Sequence, residues 1–182
     1  MQTQKKPKER TWSVLVVEDD ARVASLLGAT LATTFDVMVV STAEEALAAI
    51  DGGDEFDLVL TDHHLPGMSG LDLLGDFRVR RPSTRRLMLT GDHSRDIHER
   101  ATNECAVHRF LAKPCDPSGV LSACEESLAE LEEERAVQSE LQELGFARAA
   151  LTDLNELLEA RLDDREGSLA GLQKHALELA CA

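Results

Sequence analysis

Five side chains suited to phosphoryl chemistry lie close behind short apolar runs: Glu18, Asp19, Asp62, Thr90 and Lys113. Carboxylates that lie close together repel one another and raise their own pKa values unless a cation offsets the charge. A hard divalent ion such as Mg²⁺ takes one or two protein carboxylates and keeps several waters. A carboxylate can also attack a phosphoryl group as a nucleophile. We therefore expect Mg²⁺-dependent phosphoryl transfer to Asp62, with Lys113 and Thr90 binding the phosphoryl oxygens.

Each of these residues alone has a simpler structural explanation. An acidic residue after a strand often caps the following helix, and Asp19 or Asp20 could do only that. A Lys-Pro pair commonly precedes a helix, and a threonine after an apolar strand means little by itself. The joint order of the residues, one group at the end of each suitable strand, is what indicates a shared site.

The elements that must position these side chains alternate between apolar, β-branched runs and amphipathic segments. Strands are predicted at residues 12–17, 35–40, 56–61, 86–90 and 107–112. Helices are predicted at residues 21–33, 43–50, 70–80 and 94–103, with a fifth beginning after Pro117. This repeated β-α order predicts an α/β fold with a doubly wound, five-stranded parallel sheet. Ligands of such sheets bind beyond the carboxyl ends of the strands, where the five side chains are expected.

Four segments resemble the receiver domain of two-component response regulators. They are VLVVEDD from Val14, DLVLTDHHLPGMSG from Asp57, LMLTG from Leu87 and FLAKP from Phe110. The likeness covers about residues 12–128. It implies a flavodoxin-like sheet with strand order 2-1-3-4-5, and phosphorylation by a cognate histidine kinase or phosphotransfer protein.

The resemblance also implies a metal site. Asp19 and Asp62 would bind Mg²⁺ directly, Glu18 would act mainly through water, and the backbone carbonyl of His64 would be a further ligand. A separate transition-metal site at His63 and His64 is conceivable, but adjacent side chains at a strand end usually point in different directions.

Two further pairs of residues have roles that only the resemblance assigns. Thr90 and Phe110 would be the switch pair that turns inward on activation, although many family members have Tyr in place of Phe110. His64 and Asp92 would tune autodephosphorylation. The signal would then leave through the face formed by the fourth predicted helix, the fifth strand and the fifth helix.

The segment after Pro117 lacks strand signals and contains mostly good helix formers. From residue 141 its apolar residues follow a heptad pattern whose seam includes Leu144, Leu151, Asn155, Leu158 and Leu172. This pattern predicts a coiled coil, and Asn155 at an a position favours a parallel dimer at some cost in stability. A change of phase near residues 132–137, or a break at Gly145, leaves a second possibility, two helices folded back as an antiparallel hairpin.

Charge and composition limit the partners and the compartment. The net charge is −15, and residues 116–182 alone carry −11. Such a surface repels nucleic acids and anionic membranes, so we expect no direct DNA binding. No apolar run is long enough to cross a bilayer or serve as a secretion signal, and the four cysteines lack CxxC spacing, which favours a cytoplasmic protein.

The expected organisation is a disordered basic leader at residues 1–11, a receiver domain at 12–128 and a helical, coiled-coil extension at 129–182. The expected function is a response regulator that passes its phosphorylation state to the tail by dimerisation and is not itself an enzyme. The alternative is the regulatory part of a larger receiver–output protein, such as a cyclic-dinucleotide enzyme or kinase. A pure scaffold, in which Asp62 is never phosphorylated, is a third possibility.

Residues 52–56 spell GGDEF, the signature of diguanylate cyclases. They lie between the second predicted helix and the third predicted strand, where Gly52 and Gly53 are typical of a helix stop. The space between these two elements is too short for a cyclase domain, so we interpret the motif as a coincidence.

Overall fold

The computed structural model of the protein describes residues 11–91 and 102–180. Five parallel strands form one sheet: β1 (Ser13–Val17), β2 (Asp36–Val40), β3 (Leu58–Asp62), β4 (Arg85–Thr90) and β5 (Arg109–Ala112). Their order is β2-β1-β3-β4-β5. The predicted doubly wound sheet and its strand order are therefore confirmed.

Four helices lie wholly within the described residues: α1 (Ala21–Leu31), α2 (Ala43–Asp51), α3 (Gly70–Arg80) and α4 (Pro117–Ala180). The first three begin after Asp20, Thr42 and Ser69, whose side-chain oxygens accept hydrogen bonds from backbone N–H groups of the first helical turn. These caps satisfy donors that have no partner within the helix. The helix predicted at residues 94–103 lies mostly outside the described residues.

The apolar sides of the helices cover both faces of the sheet, which explains why the central strands are continuously apolar. Val14 and Val16 of β1 pack on one face with side chains of α1 and the first turns of α4, including Leu27, Leu31, Val120, Cys124 and Leu128. Leu15 and Val17 pack on the other face with side chains of α2 and α3, including Ala46, Ile50, Leu71, Leu74 and Phe77. This core holds the carboxyl ends of the strands in fixed positions.

The GGDEF residues form the turn between α2 and β3. Gly52 ends α2, and Gly53 has a φ of +104°, a conformation that favours glycine. Phe56 is buried, but β3 begins at Leu58, two residues later than predicted. The motif thus serves as a helix stop, as the sequence indicated.

The long helix α4 is continuous from Pro117 to Ala180. The alternative of a folded-back hairpin is therefore wrong; an exposed glycine such as Gly145 costs a helix only about 1 kcal/mol, which the flanking helix formers can offset. The chain divides into two compact units, one ending at Glu132 and the other beginning at Glu133. No helix within residues 11–91 and 102–180 is long and apolar enough to cross a membrane.

Candidate functional site

The acidic residues come together where β1 and β3 end side by side. Val17 pairs with Thr61 in the sheet, so the residues that follow them are neighbours. Glu18 is 2% exposed and Asp62 is 8% exposed, while Asp19 is open to solvent. One carboxylate oxygen from each of the three lies within 4.8 Å of the others. The structure therefore assembles the predicted cluster.

Asp20, unlike its acidic neighbours, caps helix α1. Its Oδ1 accepts hydrogen bonds from the backbone N–H groups of Arg22, at 2.9 Å, and Val23, at 3.3 Å. These bonds lower the pKa of the Asp20 carboxyl because they favour its charged form. Because Asp20 caps α1, Asp19 is not needed as a cap and remains with the cluster.

Lys113 brings the positive charge to the cluster from the end of β5. Its Nζ lies 2.8 Å from Asp62 Oδ2 and 3.0 Å from Glu18 Oε2. Burial acts to lower the pKa of Lys113 and is the largest single effect, but the contacts with Asp62 and Glu18 together outweigh it and raise the pKa. The ammonium therefore stays charged and bridges the two buried carboxylates.

Thr90 lies on β4, next to β3, and Phe110 lies on β5, the edge strand that pairs with β4. Thr90 is buried at the end of β4, and its carbonyl accepts a hydrogen bond from the backbone N–H of Lys113 at 2.8 Å. Phe110 is half-buried, pairs with Met88 across the sheet, and packs against the core on the α2 and α3 side. Both residues lie close in sequence or register to Lys113.

The two histidines lie at the start of the β3–α3 loop. His64 is exposed, and its ring meets that of His63 edge to face with 4.5 Å between the centroids. Over the described ranges, the acidic cluster is the one group of three or more potential ligands with metal-binding spacing, and neither histidine side chain belongs to it. The separate histidine metal site is thus not supported. Asp92, the second predicted tuning residue, lies outside the described residues.

Gly70 is a site residue that the sequence did not single out. A Cβ added to Gly70 would lie 1.9 Å from the backbone oxygen of Asp62 and 3.0 Å from Thr61 Oγ1. Thr61 Oγ1 also donates a hydrogen bond to that Asp62 oxygen at 3.0 Å. The first turn of α3 is therefore packed directly against the backbone of the predicted phosphoacceptor, which only glycine permits.

Comparison with known proteins identifies the family of the chain. The family model for the response regulator receiver domain matches residues 14–125. The transcriptional regulatory protein AruR of Pseudomonas aeruginosa is 32% identical over 164 residues, which is 85% of this chain and 64% of AruR. The hydrogenase transcriptional regulatory protein HoxA of Cupriavidus necator is 28% identical over 64% of this chain and 24% of HoxA. The chain thus spans less than two thirds of these relatives.

Similar solved structures are also receiver domains. The signal receiver domain of an HD domain-containing protein from Pseudomonas fluorescens Pf-5 has a TM-score of 0.65 and 30% identity, covering 71% of this chain and 96% of that one. A CheY-like receiver domain protein from Methanospirillum hungatei JF-1 has the same TM-score and identity, covering 69% of this chain and 99% of that one. The chain therefore belongs to the response regulator receiver domain family and carries a long C-terminal helix.

Proposed function

We propose that the protein is a phosphorylation-dependent signalling switch in which Asp62 accepts a phosphoryl group from a histidine kinase or phosphotransfer protein. One observation carries the proposal: Lys113 Nζ bridges Asp62 and Glu18 at 2.8 and 3.0 Å. An oxygen of Asp62 forms the new bond to phosphorus, and the electron pair of the broken phosphorus–nitrogen bond stays with the donor. The ammonium of Lys113 can then bind a phosphoryl oxygen in place of the Asp62 oxygen.

The acidic cluster fits Mg²⁺. Three carboxylates lie close together, and the single ammonium of Lys113 offsets the charge of only one. We propose Asp19 and Asp62 as direct ligands, Glu18 as a ligand through water, and the backbone carbonyl of His64 as a further ligand. The bound ion would neutralise phosphoryl oxygens during transfer.

Thr90 and Phe110 are the proposed switch residues. The buried position of Thr90 at the end of β4 suits a hydroxyl that binds a phosphoryl oxygen. The backbone carbonyl of Thr90 also accepts a hydrogen bond from the backbone N–H of Lys113. Movement of Thr90 would leave room for Phe110, which is only half-buried on the adjacent strand. We propose that this change reshapes the surface around β5 and the first turns of α4, while His64 and Asp92 set the lifetime of the phosphorylated state.

The phosphodonor must reach the same edge of the sheet. An open cavity of about 480 Å³ lies beside Lys113, between α1 and the start of α4. Its walls are mostly apolar and include Leu26, which is half-exposed, together with Pro114 and Cys115. An apolar surface next to the reacting group is suited to the partner that delivers the phosphoryl group, and we propose that the partner covers it.

The tail is proposed to join two copies of the chain. We take residues 12–128 as the receiver domain and 129–182 as the extension. Leu144, Leu151 and Leu158 are half to two-thirds exposed on an uninterrupted helix, as expected of a seam that awaits a partner. Asn155 lies in the same seam, whereas the side chain of Leu172 is outside those described.

Intact-mass measurement tests the proposed phosphorylation. Wild-type protein treated with acetyl phosphate and Mg²⁺ should gain the mass of one phosphoryl group, because Asp62 is the nucleophile. Asp62→Asn should gain none, while the control Asp54→Asn, which changes an exposed acid in the turn before β3, should behave as wild type. Equal labelling of Asp62→Asn would refute the assignment.

Light scattering on the phosphorylated and untreated samples tests transmission to the tail, and identical masses and radii would count against it.

A second candidate function is the regulatory part of a larger receiver–output protein. The observation that favours it is that the chain spans only part of the length of its relatives. It matches 24% of HoxA, and it resembles the receiver domain of an HD domain-containing protein. In that arrangement the tail would be a linker helix. An open reading frame that continues in phase past Ala182 into an enzymatic domain would support this candidate, and an immediate stop codon would oppose it.

A further inference from the structure

Among the side chains described between residues 141 and 171, three large apolar ones lie outside the proposed dimer seam. Phe146 is 69% exposed, Leu154 is 52% exposed and Leu157 is 66% exposed. In the heptad frame of the seam they occupy f, g and c positions, which lie outside the apolar a and d positions of a two-stranded coiled coil. A dimer formed through that seam alone would leave an apolar patch in water, which is unusual unless the patch serves an interaction.

Two of these residues belong to a second regular stripe on the same helix. Its members follow one another at intervals of four, three, four, three and four residues: Glu143, Ala147, Ala150, Leu154, Leu157 and Arg161. This is the spacing of a heptad seam, in a frame different from the first. All six side chains are exposed. We call this set the second stripe.

Charge argues against parallel packing of the second stripe. In a parallel, in-register pair each residue meets its own copy. Glu143 would face Glu143 at one end, Arg161 would face Arg161 at the other, and Ala147 and Ala150 would leave gaps between the helices. Like charges that face one another across helices are unfavourable.

Antiparallel packing removes both problems. With the helices reversed, a positions face d positions, and Glu143 of one copy meets Arg161 of the other. Ala147 then faces Leu157, and Ala150 faces Leu154, so each small side chain lies opposite a large one. Every contact occurs twice because a twofold interface is self-complementary. A shift by one heptad either way would place Arg161 against Ala150 or Glu143 against Leu154.

We propose that residues 143–161 pack antiparallel against the same segment of a second copy of this chain. The stripe ends in one acid and one base, which matches the reversed segment itself better than a uniformly basic or acidic partner. Combined with the seam in the proposed function, the second stripe joins dimers into larger assemblies, because a parallel dimer carries two copies of the stripe on opposite sides. The second stripe does not depend on phosphorylation of Asp62, so the two proposals can fail separately.

Charge reversal tests the orientation without changing the core of the receiver domain. The mass of the full chain is measured by size exclusion with multi-angle light scattering at low salt. Wild type should give at least four times the 19.9 kDa chain mass. Glu143→Arg and Arg161→Glu should each weaken association of dimers by about tenfold, because each places like charges together twice. The double variant, with both charges exchanged, should restore the wild-type mass.

The control is Glu156→Arg, which makes the same charge change on an exposed position outside both stripes and should leave the mass unchanged. A parallel contact would be insensitive to Glu143→Arg, since like charges face one another before and after the change. A mass unaffected by either single reversal, or not restored by the double reversal, overturns the antiparallel stripe. In Leu151→Glu with Leu158→Glu, loss of the first seam should reduce the assembly to an antiparallel dimer of twice the chain mass. An unchanged mass above that of a dimer would overturn the first seam, because the second stripe alone joins only two chains.

Discussion

The variant Lys113→Met is expected to accept a phosphoryl group on the order of a hundredfold more slowly than wild type. The side chain keeps similar length and apolar contacts but loses the ammonium that bridges Asp62 and Glu18. Without it, less positive charge is available to neutralise the phosphoryl oxygens during transfer. The measurement is the rate of phosphoryl uptake from acetyl phosphate at saturating Mg²⁺, followed by intact mass.

Two comparisons sharpen this prediction. Lys113→Arg keeps the charge, and its rate of phosphoryl uptake should fall between those of wild type and Lys113→Met. A planar guanidinium fits the position of an ammonium imperfectly. The raised pKa of Lys113 also means that its contribution to stability is complete below the ordinary lysine pKa of 10.5 and is lost as pH rises through the folded value. Wild type should therefore lose stability at alkaline pH in a way that Lys113→Met does not. Equal uptake rates for wild type and Lys113→Met would contradict the assigned role.

Gly70→Ala is expected to destabilise the protein by about 3 kcal/mol or more. The added methyl group would lie 1.9 Å from the backbone oxygen of Asp62, so either the first turn of α3 or the end of β3 must move. A backbone oxygen cannot turn aside as the end of a flexible side chain can. The measurement is the free energy of unfolding in urea, together with phosphoryl uptake by the folded fraction.

The matched control is Gly75→Ala on the same helix. A Cβ at Gly75 would have Cys105 Sγ as its nearest neighbour, at 3.8 Å, which is ordinary contact. Because alanine is the better helix former, this variant should be unchanged or more stable by up to about 1 kcal/mol. Similar free energies of unfolding for the two variants would show that the close approach of α3 to Asp62 is not what requires glycine.

The sheet could be predicted from the sequence because its strands have a simple physical signature. Runs such as 14–17 and 58–60 lack alternation, and strands covered on both faces need none. The strand ends then bring Glu18, Asp62 and Lys113 to one edge without further information. The exact strand order came from the resemblance to a family, since hydrophobic pattern alone does not fix the neighbours of each strand.

Other features depend on contacts that a sequence does not display. Asp19 and Asp20 are equivalent candidates for the cap of α1, and only the extended backbone of Asp20 and its bonds to the first turn decide between them. The role of Gly70 follows from its approach to a residue eight positions earlier in the chain. The hairpin alternative for the tail was wrong because local glycine costs are small beside the propensity of a long segment.

A single heptad frame fitted to the whole tail does not contain the second stripe of α4. In that frame Phe146, Leu154 and Leu157 lie outside the a and d positions. All three are exposed in the structure, and Leu154 and Leu157 fit a second frame. The apolar residues of a long helix can thus belong to two interfaces, which a search for one best pattern does not find.

The central claim is that Asp62, Lys113 and the acidic cluster together hold a phosphoryl group, and a crystal structure of the full chain with beryllofluoride and Mg²⁺ tests it most directly. We predict beryllofluoride on an Asp62 oxygen, the metal ion in contact with Asp19 and Asp62, and Lys113 Nζ turned toward a fluorine. Unmodified Asp62 with Lys113 Nζ still 2.8 Å from its Oδ2, in crystals grown at saturating ligand, would contradict the account.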